Sequence, residues 1–535
     1  MSDTSAPLAE HVAEKSNGVS KTQGNKYNED PLQPSATRAT YIRAERIASL
    51  STAHQEYLLS RHGTFHLDPV PGFGNADPYN WPQWKKVSNL VLVAIHAMMS
   101  TFTAAAIIPA YQIIAEDLGR SLQDITYLTS LQIAILGVAP LFWKPIANHY
   151  GRRPVFLLSL IVSLAANIGC AKSSNYGSMA ACRAIVAFFI SPAAAIGSAV
   201  VTETFFKKER ARYIGVWTLL ITLGIPVSPF VMGFVANGVG YRWIYWILAM
   251  INGVQFVLYL FLGPETRFIR MGADHEGSDF KQEYMSFKRI DPMPIRPIAF
   301  IQPLSLFAVP CVVIPSIAYS MVFLWASVLI TVELPQLFGE KFQFNPQQLG
   351  LQFLGIIIGS VIGEQIGGIL SDYWMNRRAK TIGRKPRPEF RLWLSYPGFI
   401  LSIVGVVVFL IQTNNAPELH WNISPVIGIA IAGVGNQIVT TVLITYAIDS
   451  EIQQSASVGV FVTFVRQIWG FIGPFWFPDV FTNVGLTGTA GIMAGLIIGV
   501  SILPTILIQM KGYAWRRIKV EEEEDVVDRP NVCEV

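Results

Sequence analysis

Twelve separate stretches of this chain are apolar enough and long enough to cross a membrane, and that one feature leaves few folds open. They lie near 87–113, 125–146, 154–171, 178–202, 212–235, 242–263, 305–335, 348–371, 391–412, 423–448, 456–477 and 486–510. About 20 helical residues cross the ~30 Å of hydrocarbon in a bilayer. Lipid offers no partner to an open backbone, so each span is predicted to be helical. Hydrophobic residues make up 51% of the 535 and charged residues 14%, against roughly 25% charged in soluble domains. A soluble enzyme, a nucleic-acid binder and a disordered chain are all poor fits. The net charge of +4 gives no basic footprint for nucleic acid. Four cysteines are too few for a disulfide scaffold, and Cys170 and Cys182 read as small buried residues.

Polar tails bracket the spans. Residues 1–86 form an N-terminal tail, with 1–36 expected to be disordered and 40–59 able to make a short amphipathic helix. Trp81, Trp84, Lys85 and Lys86 stand just before the first span, where Trp favours the membrane interface and Lys the cytoplasmic side. Residues 511–535 read as an acidic C-terminal tail. An even span count puts both tails on one face. The loops on that face between spans two and nine carry twenty Lys and Arg, while the opposite loops hold Arg120, Lys172, Arg242 and Lys341. The positive-inside rule makes the tail face cytoplasmic. The loop with Asp449 and Glu451 dissents, but acids count little in this rule. Asn422-Ile423-Ser424 is a glycosylation sequon on the other face.

The polar stretch 264–304 divides the spans into halves, 87–263 and 305–510. Each half carries a related segment. Lys144–Pro154 and Gly367–Arg378 both present a small-residue helix end, a polar residue (Asn148 or Asp372) and an Arg pair (Arg152 with Arg153, or Arg377 with Arg378). Duplication on this plan predicts an all-α membrane protein with twelve transmembrane helices in two pseudo-symmetric six-helix bundles.

These residues resemble a known family, the major facilitator superfamily. Lys144–Pro154 is similar to its signature between helices two and three, with Asn148 in place of the Asp that the family pairs across the cytoplasmic gate. Arg183–Ala187 resembles the Arg-x-x-Gln-Gly motif, whose Arg is associated with proton transfer in proton-coupled members. Gly224, Pro226, Pro229 and Gly233 lie in a segment similar to the helix-bending antiporter motif, and Pro264-Glu265-Thr266-Arg267 resembles the Pro-Glu-Thr close of span six. The resemblance covers roughly 80–510 and points to the fungal twelve-helix drug:proton antiporter branch. It implies the fold that bears the family's name, a monomer in the plasma membrane, and a proton gradient as energy source with no cofactor.

Charged and polar groups inside the spans are the functional candidates, since a charge at the bilayer centre costs at least ~2.5 kcal/mol on the insertion scale. For proton coupling and gating these are Arg183, Glu203, Glu364, Asp372, Asn148, Arg152 and Arg153. For a substrate cavity they are His96, Gln132, Trp217, Tyr319, Trp325, Glu333, Gln352, Asn436, Gln437, Arg466, Gln467 and Trp469. Glycines at every fourth position from Gly355 to Gly367 make a stripe expected to slide during transport. No Gly-x-x-x-x-Gly-Lys-Ser/Thr loop calls for ATP, no Cys or His cluster has metal spacing, and no site for covalent chemistry is evident, so an enzyme is not expected. The reading is a secondary transporter that exports a small amphipathic organic molecule by alternating access. A proton-coupled importer of a nutrient or an organic cation, and a non-transporting membrane sensor, are the alternatives.

Overall fold

The computed structural model describes residues 50–64, 67–268, 284, 289–383, 386–451 and 454–527. The chain divides into two units, Met1–Glu45 with Arg517–Val535, and Arg46–Arg516. In the first, residues 517–527 are helical, and the expected disorder of 1–36 lies outside the described residues. Everything below concerns the second unit.

Among the described residues, twelve helices have the length and apolarity to span a membrane: α1 Gln83–Leu118, α2 Leu122–Tyr150, α3 Arg152–Ala171, α4 Tyr176–Thr204, α5 Arg212–Val239, α6 Arg242–Leu262, α7 Pro310–Phe342, α8 Pro346–Ile382, α9 Pro388–Asn415, α10 Ser424–Ser450, α11 Ser455–Phe475 and α12 Phe477–Arg516. Their order and number follow the hydropathy. Their lengths differ where polar residues extend a helix beyond the apolar run: α8 continues through Ser371–Ile382, and α12 runs well past 510. The polar tail predicted from 511 is therefore helical at its start. Within the connection 264–304, a short apolar helix covers Ile298–Ala308.

On the face opposite the tails the turns are tight and chemically capped. Ser121 and Asp124 form a reciprocal capping box at α2, Asn175 caps α4, and Asn345 with Gln348 caps α8. Each side-chain oxygen satisfies an amide that the first helical turn leaves unpaired.

Packing within each half is set by small residues. α9 and α10 meet backbone to backbone, with Gly398, Ser402 and Gly405 against Gly435, Ala432 and Gly428. The stripe Gly355, Gly359, Gly363, Gly367 lies against Val426, Ala430, Val434 and Ile438 of α10. The surface expected to slide is thus buried inside one half, where it fixes α8 to α10.

Before α1, the chain folds onto the tail-side junction of α4 and α5. Helix Thr52–His62 buries Leu58 completely; of the amphipathic helix expected over 40–59, residues 40–49 lie outside the described residues. Tyr79 stacks on Phe206 at 5.1 Å and its hydroxyl donates to the Thr202 carbonyl. Trp84 stays exposed, but Trp81 and Lys86 are buried, Lys86 Nζ donating to the Tyr79 carbonyl at 2.8 Å.

Candidate functional site

Three layers of polar groups stack along the line between the halves. The first is at the tail face. Asn148, near the end of α2, and Glu203, near the end of α4, both meet Arg152 at the start of α3. Arg152 Nη1 donates to Asn148 Oδ1 at 2.9 Å and Nη2 to Glu203 Oε1 at 2.8 Å. Asn148 thus accepts a hydrogen bond where an acid would also carry charge, and Glu203 supplies the charge. Thr266 and Arg267 close on the same carboxylate. The other half repeats the plan with different residues. Arg391 at the head of α9 reaches Asp372 of α8 at 3.3 Å and Asp449 at the end of α10 at 3.7 Å. Asp372 is 69% exposed, so this pair is worth little by itself. Of the two acids that oppose the positive-inside count, Asp449 is paired with Arg391.

Glu265 completes this layer. Its carboxylate accepts the backbone amides of Arg152, Arg153 and Arg267 at 2.8, 2.9 and 2.8 Å, which fixes the first turn of α3. Gly151, at φ 98°, brings the chain past it, and a Cβ there would strike the Glu265 carboxylate. Arg153 turns to the Leu260 carbonyl at 2.7 Å. Burial pushes the Glu265 carboxyl above the usual carboxylate range, against the pull of the three amides and Arg152. A raised native pKa means that the folded state holds this proton more tightly than the unfolded chain. The group's contribution is full below the ordinary carboxylate pKa and falls as pH rises through the native one. Glu265→Ala strands the three amides and should cost about 2 kcal/mol. Glu265→Gln should cost less and flatten the pH dependence of thermal unfolding in detergent. An unchanged pH slope in the Gln variant would refute this account.

The second layer is built from residues inside the spans. A cavity of about 40 Å³ lies between the halves, room for a water molecule or two. Its wall includes Thr101 of α1, Thr129 and Ile133 of α2, Ile225 of α5, Phe323 and Ser327 of α7, and Gln467 of α11. Ser327 and Val328 sit in a π-helical stretch, Leu324–Leu329, a geometry that often marks functional sites. Beside the cavity, Arg466 Nη1 donates to the Tyr319 hydroxyl at 3.2 Å and its guanidinium lies 4.8 Å over Phe323. On the α5–α10 side, Gln437 Nε2 bridges Glu364 Oε2 (2.8 Å) to Thr222 Oγ1 (3.4 Å), and Thr441 donates to the same carboxylate oxygen at 3.3 Å. Glu364 and Thr222 belong to different halves, so Gln437 ties the two together.

The third layer lies nearer the far face. Arg183 is 0% exposed. Its guanidinium donates to Gln132 Oε1 (2.6 Å), the Tyr245 hydroxyl (3.2 Å) and the carbonyls of Ala104 (3.3 Å) and Leu128 (3.4 Å). Four helices, α1, α2, α4 and α6, therefore meet on one cation. Across the interface on α7, Glu333 is 0% exposed and neither of its carboxylate oxygens has a hydrogen-bond partner.

Beyond this layer the halves touch directly. α5 and α8 approach at Gly233 and Gly350, where a Cβ on Gly350 would lie 2.8 Å from the Pro229 carbonyl oxygen. Gln123 Nε2 of α2 donates to the Pro474 carbonyl of α11 at 2.7 Å, and Tyr127 stacks on Phe475 at 4.6 Å. Pro226 and Pro229 lie inside α5. Around them Thr101 donates to the Ile221 carbonyl and Ser228 to the Phe102 carbonyl, tying α5 to α1.

Several residues expected along the cavity lie elsewhere. His96 packs between Phe156 and Tyr259 and meets Ser159 Oγ at 3.0 Å, inside the first half. Trp217 covers Gly197 and donates to the Ala193 carbonyl. Trp325 packs on Trp476 and Phe477. Gln352 is taken up by Gln348 and Trp421 near the far face. Asn436 is buried with its Oδ1 unpartnered, and Trp469 is half-buried against the core. In a membrane helix both the protein side and the lipid side are apolar, so periodicity does not say which polar side chain faces the cavity. Asn422 is exposed in the α9–α10 loop, its Oδ1 accepting from the Ser424 amide. Tyr245, Thr222, Arg391 and Asp449 took no part in the expected site. Glu265 did carry a signal, the motif at the end of α6.

Comparison with known proteins agrees with this architecture. The family model of the Major Facilitator Superfamily matches residues 93–474. The chain is 26% identical to the MFS transporter cpaT of Aspergillus oryzae, over 81% of this chain and 88% of that protein. It is 27% identical to the efflux pump FUB11 of Gibberella moniliformis, over 78% of this chain and 71% of that one. The solved structure of the human organic anion transporter MFSD10 (TETRAN) covers 80% of this chain and is itself covered in full, with a TM-score of 0.54 at 13% identity, a likeness of fold. Twelve apolar helices, gate residues repeated in each half, a cavity where the halves meet and a family match across most of the length lead to one conclusion: the chain is an integral membrane transporter that belongs to the major facilitator superfamily.

Proposed function

We propose that the protein exports amphipathic organic compounds in exchange for protons, by exposing the cavity between its halves to one face and then the other. The observation that carries this reading is how the far face is closed. The contacts there run between the halves and consist largely of glycine backbone and ring stacking, so they part without breaking either bundle. The cavity wall, mostly apolar with a few hydroxyls and one amide, suits a substrate that is itself mostly apolar. Buried ionisable groups at the closed interface supply the means of proton coupling. Relatives named efflux pumps support the direction, the basic loops support a cytoplasmic tail face, and placement in the plasma membrane rests on the family resemblance alone. Glu364, held by the neutral donors Gln437 and Thr441, favours a second reading, uptake of an organic cation.

The experiment is accumulation of labelled cationic and neutral amphipathic compounds in transport-deficient cells that express the protein, with and without a proton uncoupler. Lower accumulation, restored by the uncoupler, is expected. Uncoupler-sensitive higher accumulation would replace export with uptake.

A further inference from the structure

Glu333 is a buried acid to which the gates and the cavity assign no role. We propose that Glu333 is the proton-binding residue of far-face closure: the far face seals only when this carboxylate carries a proton, and opens toward the protonless state. The inference rests on the alternating-access reading above and names the group that couples it to acid.

The geometry supplies the reason. With the far face shut, Glu333 is 0% exposed and both oxygens lack a partner. An ionised carboxylate cannot be left in such a place, because its desolvation far exceeds any gain from closing the interface. Among the described residues, the neighbouring groups offer no counter-ion. From α1, Tyr111 lies within electrostatic reach of Glu333 and also of Arg183, but its hydroxyl donates to Thr129. On α7 itself, Glu340 is a like charge, and Lys341 spends its ammonium on the α9 carbonyls of Thr413 and Asn414. α2 directs Asp124 to Ser121 and Tyr127 to Phe475. The first turns of α8, Pro346–Gln352, bring amides and no acid or base. Arg183, which shares Tyr111 with Glu333 as an electrostatic neighbour, has its guanidinium committed to Gln132, Tyr245 and two carbonyls. Only a proton taken up while the far face is open lets this interface close dry. Since the proton goes on at the far face, acid there drives the transition that carries an empty site back to the tail face.

The test is a distance measurement, which needs no substrate. Spin labels at Ser174→Cys and Glu418→Cys, exposed far-face loop positions in the two halves, report closure by pulsed electron resonance in lipid nanodiscs. The protein without the two introduced cysteines serves as the background. One proton over two pH units changes a closed-to-open ratio by up to ~100-fold. In the wild type the short, closed distance should gain about tenfold in population between pH 7.5 and 5.5. Glu333→Gln, a neutral isostere, should show the closed distance at both pH values. A Gln variant that follows pH as the wild type does overturns the role of Glu333 and leaves alternating access standing. A wild type fixed at one distance at every pH, with or without transported compound, overturns both.

Discussion

Arg183→Ala is expected to lower transport more than tenfold and to destabilise the protein in the same stroke. The guanidinium is the meeting point of α1, α2, α4 and α6. Removing it leaves Gln132 Oε1, the Tyr245 hydroxyl and two carbonyls facing a dry hole. Each unsatisfied buried group costs about 1–3 kcal/mol. Arg183→Lys keeps the charge, but an ammonium has three donors and no planar fork. It should recover part of the thermal stability and little of the transport. Measuring both quantities on both variants separates the two roles. If Arg183→Lys transports like the wild type, the charge alone matters and the fourfold network does not. Wild-type transport by Arg183→Ala would remove Arg183 from the mechanism altogether.

Gly350→Val is expected to abolish transport while leaving the fold intact. Its side chain would stand against the Pro229 and Phe230 carbonyls, and backbone cannot move aside as a flexible side chain can. Because α5 and α8 belong to different halves, the clash is relieved by opening the far face and not by unfolding. Normal expression, normal thermal stability and a permanently open far face are the expected results. Gly405→Val is the control with the opposite outcome. Its Cβ would collide with Ala432 of α10 inside one half, where no alternative arrangement exists. Overpacking of that kind costs at least 1–3 kcal/mol, so this variant should lose stability and yield together. If Gly350→Val proves as unstable as Gly405→Val, the α5–α8 contact is structural and not a gate.

The two glycines illustrate what a sequence can and cannot display. Gly233 was legible as part of a proline-rich motif in α5, and Gly350 was not singled out at all. The regular stripe Gly355–Gly367 looked like the moving surface, yet it packs within a half. A four-residue spacing says that a helix face is narrow. It does not say which neighbour comes close. The same limit applies to His96 and Trp325, polar or aromatic positions in apolar helices whose facing is set by packing with no hydrophobic gradient to betray it.

What the sequence by itself determined is the set of helices, their order and the family. Lipid forces long apolar runs into helices whatever their neighbours are, and motifs such as Lys144–Pro154 and Pro264–Arg267 are local in the chain. Tertiary structure alone decided the partners: Glu265 under α3, Asp449 beside Arg391, Arg183 saturated by neutral acceptors, and Glu333 left with none. Each of these depends on side chains far apart in sequence meeting at one height across a bundle, and helix crossing and rotation fix that height. The charges of this protein were visible from the start, but which of them are satisfied is a property of the packed molecule.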